Sequence, residues 1–170
     1  MSRRTALSAK AIREAWELER WLVEQGYGTR DWTPKQQEDI LKYGKAYDDD
    51  GYAFQGQHMK SAEKYPEYQG DRENIQFLTR EEHLEAHDGN WQNPTNWYFD
   101  PVTKEKTNFG DGKYIPCEHV QLSNSIVLSR LGVKRRDYNY TRAKIKEYKE
   151  KLLRNGKKIP DKKTSRHKLR

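Results

Sequence analysis

Apolar residues near the start of the chain recur at the spacing of an amphipathic helix. From about Ala6 to Gln25 they stand three or four positions apart, and polar residues fill the positions between them. The apolar positions are Ile12, Ala15, Trp16, Leu18 and Leu22. Gly26 and Gly28 come next and predict the end of this helix.

A second helix is predicted from the residues that would begin and end it. Thr33 is a favourable N-cap, and Pro34 suits the first helical position because its ring fixes a helical φ angle. The pattern continues to Tyr43, where Gly44 can stop the helix.

Two short strands and a third helix are predicted around the first histidine. Asp48-Asp49-Asp50-Gly51 reads as a hairpin turn, since it lacks the later glutamate of a calcium loop, and it leads into a strand before His58. The apolar run from Ile75 to Leu78 reads as a second strand. Thr79 followed by Glu82 is a capping box, which predicts a helix directly after it.

The remainder of the chain predicts loops followed by helices. Two loops are expected, from Trp91 to Pro101 and from Thr103 to Tyr114. A helical hairpin that packs on the core should follow, with its second helix from about Asp137 to Asn155. The apolar positions of its first helix are Val120, Ile126, Val127 and Leu131, and Gly132 breaks the pattern.

Aromatic residues in the first of these loops have two interpretations. Trp91, Trp97 and Tyr98 can stack on nucleobases, or the two tryptophans can cover a small core. For Trp91 we favour the core interpretation.

Composition limits the size of the core and points to a charged partner. Of 170 residues, 33% are hydrophobic and 35% charged, and the single cysteine excludes an internal disulfide. No apolar run is long enough to span a membrane and no signal peptide is expected. Residues 134–170 carry 16 Lys and Arg against 4 Asp and Glu, a net +12 within a total of +7. Such a basic tail suits phosphate, although a solvated, disordered extension is an equal interpretation for residues 156–170.

Four polar residues have the spacing of a hydrolytic site. His83 and His87 are four apart on the predicted helix, hence on one face, where both imidazoles can bind one divalent cation. A histidine pair alone is more often a packing or surface feature, and Asn74 alone can be a turn residue. His58, whose imidazole can accept a proton near neutral pH, completes the set.

The order His58, Asn74, His83 and His87 on strand, strand and helix resembles the HNH endonucleases of the ββα-metal superfamily. The spacing is most similar to the DNase domains of colicin-type bacteriocins and polymorphic toxins, over about residues 29–110. The resemblance implies that His58 is the general base that activates water and that Asn74 holds the loop and orients His58. It also implies that His83 and His87 are metal ligands.

Gln57 departs from the pattern of that family. The residue before the base is usually His or Asp and supplies a further metal ligand, whereas an amide oxygen is a weak neutral one. Two interpretations stay open: a natural variant with weak metal binding, or a substitution that disarms a toxic enzyme.

We therefore expect an α+β protein with a small ββα-metal core and added N- and C-terminal helices. The expected parts are a bracing segment (1–45), the nuclease core (46–110), a helical hairpin (111–155) and a basic tail (156–170). The expected cofactor is one divalent ion (Zn, Ni, Mg or Mn), bound by His83, His87 and Gln57. The expected phosphate contacts are Lys60, Arg80, Lys144 and Lys151.

The expected activity is sequence-non-specific hydrolysis of DNA, with RNA left open. The family setting implies a bacterial toxin with an immunity protein as partner, acting in the cytoplasm, either its own or that of a target bacterium. The alternatives are an HNH domain weakened or inactivated by Gln57 that binds nucleic acid, and a structural zinc module.

Overall fold

The computed structural model describes residues 3–130, which form helices and short antiparallel sheets. This mixture confirms the α+β class and is consistent with a ββα-type core. None of the described helices is long and apolar enough to cross a membrane. The helices are α1 (Arg3–Glu24), α2 (Pro34–Tyr43), α3 (Arg80–Ala86) and α4 (Ile126–Arg130). The strands are β1 (Tyr27–Gly28), β2 (Gln55–His58), β3 (Ile75–Leu78), β4 (Trp97–Phe99), β5 (Lys106–Asn108) and β6 (Val120–Gln121).

Local signals position the helix ends as the sequence predicts. The hydroxyl of Thr33 accepts from Gln36 N, and the side-chain oxygen of Gln36 accepts from Thr33 N. Helix α2 therefore begins with a capping box. Gly44 ends α2 in the left-handed conformation, with φ of 89°. Thr79 and Glu82 form the second capping box and fix the start of α3.

Backbone contacts divide the chain into two compact units. Within the described range the first unit comprises residues 3–15 and Tyr47–Glu118, and the second comprises Trp16–Ala46 and residues 119–130. Helix α1 thus contributes its first half to one unit and its second half to the other. The domain boundaries expected from the sequence stay predictions.

In the first unit, β2 and β3 form an antiparallel hairpin that packs on α1. Gln57 pairs with Gln76 and His58 with Ile75. Gly56 lies so close to α1 that a Cβ atom there would stand 2.9 Å from the side chain of Ile12. Only glycine fits at this position without displacing the helix or the strand.

A second hairpin, β4–β5, packs against α3 and β3, and the sequence did not predict it. Phe99 is buried with Leu78 and Ala86, and Trp97 packs against this cluster. The side chain of Gln76 accepts from Phe99 N and donates to Phe99 O, so it holds β4 beside β3. The expectation of loops over Trp97–Phe99 and Lys106–Asn108 was therefore wrong.

The second unit is centred on a buried carboxyl group. Glu19 is 1% exposed and accepts from Thr29 N, from Thr29 Oγ1 and from Trp32 Nε1. Strands β1 and β6 pair beside it, so the helix expected from Val120 begins only at Ile126. The helix predicted at 137–155 and the tail at 156–170 lie outside the described residues.

Candidate metal and nuclease site

Three side-chain atoms meet between β2 and α3. Gln57 Oε1 lies 2.5 Å from His83 Nε2 and 3.1 Å from His87 Nε2. Gln57 is 4% exposed, His83 lies in α3, and His87 is the C-cap of that helix. We call Gln57, His83 and His87 the ligand triad, because the Gln57 oxygen lies close to both imidazole nitrogens and all three atoms are of types that bind divalent ions.

Neighbouring hydrogen bonds fix the orientation of the Gln57 amide. Thr95 Oγ1 donates its only proton to His58 O at 3.2 Å. It can then only accept from Gln57, whose Nε2 lies 2.9 Å away. The carbonyl end of Gln57 is therefore the end that faces the two histidines.

The histidines of the ligand triad are oriented from their outer ring nitrogens. His87 Nδ1 lies 2.8 Å from the backbone oxygen of Asn93, which can only accept, so in the neutral ring Nε2 presents its lone pair. His83 Nδ1 lies 2.7 Å from Gln55 Oε1, an arrangement that likewise frees His83 Nε2. Such outer partners commonly fix the tautomer of metal-binding histidines.

The donor set fits a divalent cation. As the three side chains stand, three electron-pair donors face one another, which is unfavourable unless a positive charge lies among them. Burial, followed by the charges of His87 and His58, lowers the pKa of His83 from 6.5 to about 4, which keeps its ring neutral at neutral pH. Within residues 3–130, no three His, Cys, Asp or Glu side chains are grouped so that they could hold a metal ion. The ligand triad has only two such side chains, and its third member is the amide of Gln57.

Asn74 is fully buried and ties down the segment between β2 and β3. Its Oδ1 accepts from Lys60 N at 2.9 Å, and its Nδ2 donates to Lys60 O at 3.0 Å and to Tyr68 O at 3.4 Å. The next residue after Tyr68, Gln69, offers its carbonyl to His58. Asn74 therefore acts on His58 through the loop and not by direct contact.

His58 is partly buried and is hydrogen-bonded to this loop. Its Nε2 donates to Gln69 O at 2.9 Å, which leaves Nδ1 as the lone-pair nitrogen of the neutral ring. Burial lowers the pKa of His58, against the opposing effect of the Gln69 carbonyl. A positive charge on His58 would oppose protonation of His83, and this is the smallest of the three effects that lower the pKa of His83.

The phosphate contact expected of Lys60 does not fit its position. Lys60 is 1% exposed, its ammonium lies 4.2 Å from the centre of the Tyr65 ring, and it donates to Gly110 O at 3.3 Å. The Lys60 ammonium, enclosed in this way, stabilises the segment that carries Tyr65. Arg80 lies flat on the half-exposed ring of Tyr52, 3.4 Å from its centre. Lys144 and Lys151 lie outside the described residues.

Of the two tryptophans in this segment, the structure places Trp97 and not Trp91 against the core. Trp97 is the core cover, and its Nε1 donates to Ala86 O. Trp91 is 52% exposed and lies against the rings of His83 and His87, so the expectation that it covers the core was wrong. The outer partners Gln55, Asn93 and Thr95 were missed, although Gln55 stands two residues before Gln57 on one strand and therefore on the same face.

Residues 4–79 match a family described as a GHH signature containing HNH/Endo VII superfamily nuclease toxin. His58 is the only histidine in that stretch. Gly56-Gln57-His58 differs from a Gly-His-His signature only in the glutamine at its middle position. The match ends before α3 and its two histidines.

Small parts of much longer proteins are also similar to the chain. Teneurin-m of Drosophila melanogaster is 38% identical over 69 residues, 40% of this chain. Teneurin-3 of Mus musculus is 36% identical over 74 residues, and Teneurin-3 of Danio rerio is 35% identical, each over 43% of this chain. The chain spans only 2–3% of the length of these relatives. No solved structure matches it significantly.

The family match covers the elements that carry part of the candidate site. It spans α1 and the β2–β3 hairpin, and it includes both Gly56, where α1 touches the strand, and His58. Residues 4–79 of this chain are therefore similar to nuclease toxins of the HNH/Endo VII superfamily that carry the GHH signature.

Proposed function

We propose that the chain is a metal-dependent endonuclease that hydrolyses DNA phosphodiester bonds. The supporting observation is the ligand triad, in which Gln57 Oε1, His83 Nε2 and His87 Nε2 face one another as electron-pair donors. Nucleases of this superfamily are generally metal-dependent. Two neutral imidazoles favour zinc or nickel, whereas magnesium or manganese would be held mainly through water and phosphate.

His58 is proposed as the general base. The Gln69 carbonyl holds its Nε2 proton, so Nδ1 is free to accept a proton from the attacking water. Burial lowers the pKa of His58, and the ring is therefore neutral and able to act as a base at neutral pH. A divalent ion in the ligand triad would supply Lewis-acid polarisation of the scissile phosphate and stabilise the departing oxygen.

Asn74 and Arg80 are proposed to position the base and the substrate. Asn74 fixes the loop whose Gln69 carbonyl orients His58, so its effect on the reaction is indirect. Arg80 is held against Tyr52, which presents a guanidinium of restricted mobility to a phosphate. Lys144 and Lys151 remain candidates for further phosphate contacts.

The second candidate function is nucleic-acid binding without efficient cleavage. The amide of Gln57 favours it, because an uncharged oxygen ligand holds a divalent ion less tightly than imidazole or carboxylate does. In either case, similarity to a toxin family suggests delivery into a target cell and an immunity protein that masks the site.

Plasmid nicking tests the proposal. Supercoiled DNA is incubated with the chain and Zn²⁺, Ni²⁺, Mg²⁺ or Mn²⁺, and the same assay is run with Gln57→His and with His58→Ala. We expect the chain to cleave the plasmid and EDTA to abolish this cleavage. Gln57→His should cleave faster, and His58→Ala should not cleave. Cleavage by Gln57→His alone would identify the chain as a disarmed nuclease, and cleavage by neither would favour the binding function.

A further inference from the structure

We propose that Trp91 is a stacking platform for an unpaired nucleobase next to the scissile phosphate. This inference rests on the proposed nuclease function and adds a preference for single-stranded DNA. It starts from an unusual position for the largest apolar side chain. The ring of Trp91 is 52% exposed although the first unit has a core cluster that another tryptophan, Trp97, helps to cover.

The position of Trp91 is defined by the ligand triad itself. Its ring centre lies 4.8 Å from that of His83 in an edge-to-face arrangement at 83°, and 5.6 Å from that of His87. The indole thus contacts both imidazoles that would hold the ion on which the reacting phosphate binds. A base of the nucleotide that carries this phosphate would lie beside the exposed indole.

The turn that carries Trp91 is fixed at both ends. His87 Nδ1 donates to Asn93 O at 2.8 Å, and Asn93 Nδ2 donates back to His87 O at 2.9 Å. Within the turn, Asn90 Oδ1 accepts from Gln92 N at 3.0 Å. A held indole loses little conformational freedom when a base stacks on it, so more of the stacking energy appears as affinity.

Stacking on this ring selects unpaired bases. In a duplex both faces of each base are covered by its neighbours, whereas a base in single-stranded DNA offers a free face to an aromatic side chain. Such stacking tolerates any base, which suits a nuclease of low sequence specificity.

The test separates the contribution of the bases from that of the phosphates. Binding is measured by fluorescence anisotropy, with Ni²⁺ and again with EDTA, for a thymidine octamer and for an abasic octamer of equal length and charge. The full chain carries His58→Ala throughout so that the octamer is not cut. The parent is compared with Trp91→Ala, Trp91→Phe and Tyr43→Ala, a control that removes another exposed aromatic ring.

We expect the parent to bind the thymidine octamer about tenfold more tightly than the abasic one. Trp91→Ala should lose this preference while its affinity for the abasic octamer and for Ni²⁺ is unchanged, and Trp91→Phe should keep most of it. Equal loss for both octamers, or loss of Ni²⁺ affinity, would assign Trp91 a packing role and overturn the inference.

The outcome also distinguishes this inference from the proposed function. Plasmid nicking is measured separately, with the chain that retains His58. Equal binding of the two octamers by the His58→Ala chain, together with nicking by the chain that retains His58, overturns only the role of Trp91. Failure to bind either octamer overturns the role of Trp91, and absence of nicking by the chain that retains His58 overturns the nuclease function.

Discussion

The side-chain carbonyl of Gln57 points at Nε2 of His83, and the hydroxyl of Thr95 prevents the amide from turning round. Residue 57 therefore presents an oxygen atom to the proposed metal site even though its side chain is uncharged. The affinity of the proposed site for a metal ion should therefore depend mainly on which side chain stands at position 57.

Replacement of Gln57 by His or Asp should strengthen metal binding. A third imidazole or a carboxylate is a better ligand than an amide, and a gain of tenfold corresponds to about 1.4 kcal/mol. Chelator competition with Zn²⁺ or Ni²⁺ measures the change, for which we expect tenfold or more.

The matched control for this series is Gln76→His. Gln76 is a buried glutamine on the neighbouring strand, but both ends of its amide are bonded to the backbone of Phe99. Its replacement should lower stability without raising metal affinity. Unchanged affinity in Gln57→His would mean that residue 57 does not reach the ion.

Gly56→Ala should destabilise the first unit. The added Cβ would stand 2.9 Å from Ile12, so helix or strand must shift, at about 1–3 kcal/mol. Urea denaturation measures the loss, and Ile12→Ala should recover part of it when combined with Gly56→Ala. Gly70→Ala is the control, because its Cβ meets only ordinary contacts with Leu7 at 3.7 Å.

Asn74→Ala should loosen the loop between β2 and β3. It would leave the buried N–H and C=O of Lys60 without their partner, at about 1–3 kcal/mol for each unsatisfied group. Hydrogen exchange at the Lys60 amide should accelerate together with the fall in stability. Asn108→Ala, an exposed change in β5, should leave that exchange rate unaltered.

Glu19→Gln should change how the stability of the second unit depends on pH. Burial raises the pKa of Glu19 above its usual 4.5, although bonds from Thr29 and Trp32 oppose the shift. The folded state then binds the carboxyl proton of Glu19 more tightly than the unfolded chain does. The contribution of Glu19 to the stability of the wild type therefore falls as pH rises above 4.5. Glutamine does not titrate.

Near pH 4, the free energy of unfolding of Glu19→Gln should be about 1–3 kcal/mol lower than that of the wild type. This difference should shrink as pH rises from 4.5, because the wild type then loses the contribution of Glu19. Urea denaturation of both proteins between pH 4 and pH 8 measures it. A deficit that grows with pH would contradict the raised pKa. Glu38→Gln, on the exposed side of α2, should stay within about 0.5 kcal/mol of wild type.

The sequence predicted the elements whose signals are local. The N-cap at Thr33, the capping box at Thr79 and the stop at Gly44 depend on residues within one helical turn, and each prediction of a helix end is confirmed. The β4–β5 hairpin was missed because β4 is held by the distant side chain of Gln76 and β5 is fully exposed, so neither has an apolar alternation.

The sequence predicted the part of the candidate site that can be inferred from residue types alone. Histidines suggest a metal, but the partners that orient them are amides and a hydroxyl, whose role depends on which atom they face. Trp91 was misjudged because tryptophan is usually buried, and its exposure depends on a turn held by Asn93.

Asn74 also makes the β2–β3 hairpin a suitable host for inserted sequence. Its amide fixes the segment after β2 at Lys60 and Tyr68, while Glu63 and Lys64 between them are exposed. Lengthening the chain there costs about 0.6 kcal/mol per doubling of the loop. A reporter peptide, or a natural extension that contacts a different target, can therefore be accommodated at this turn while β2 and β3 keep their register.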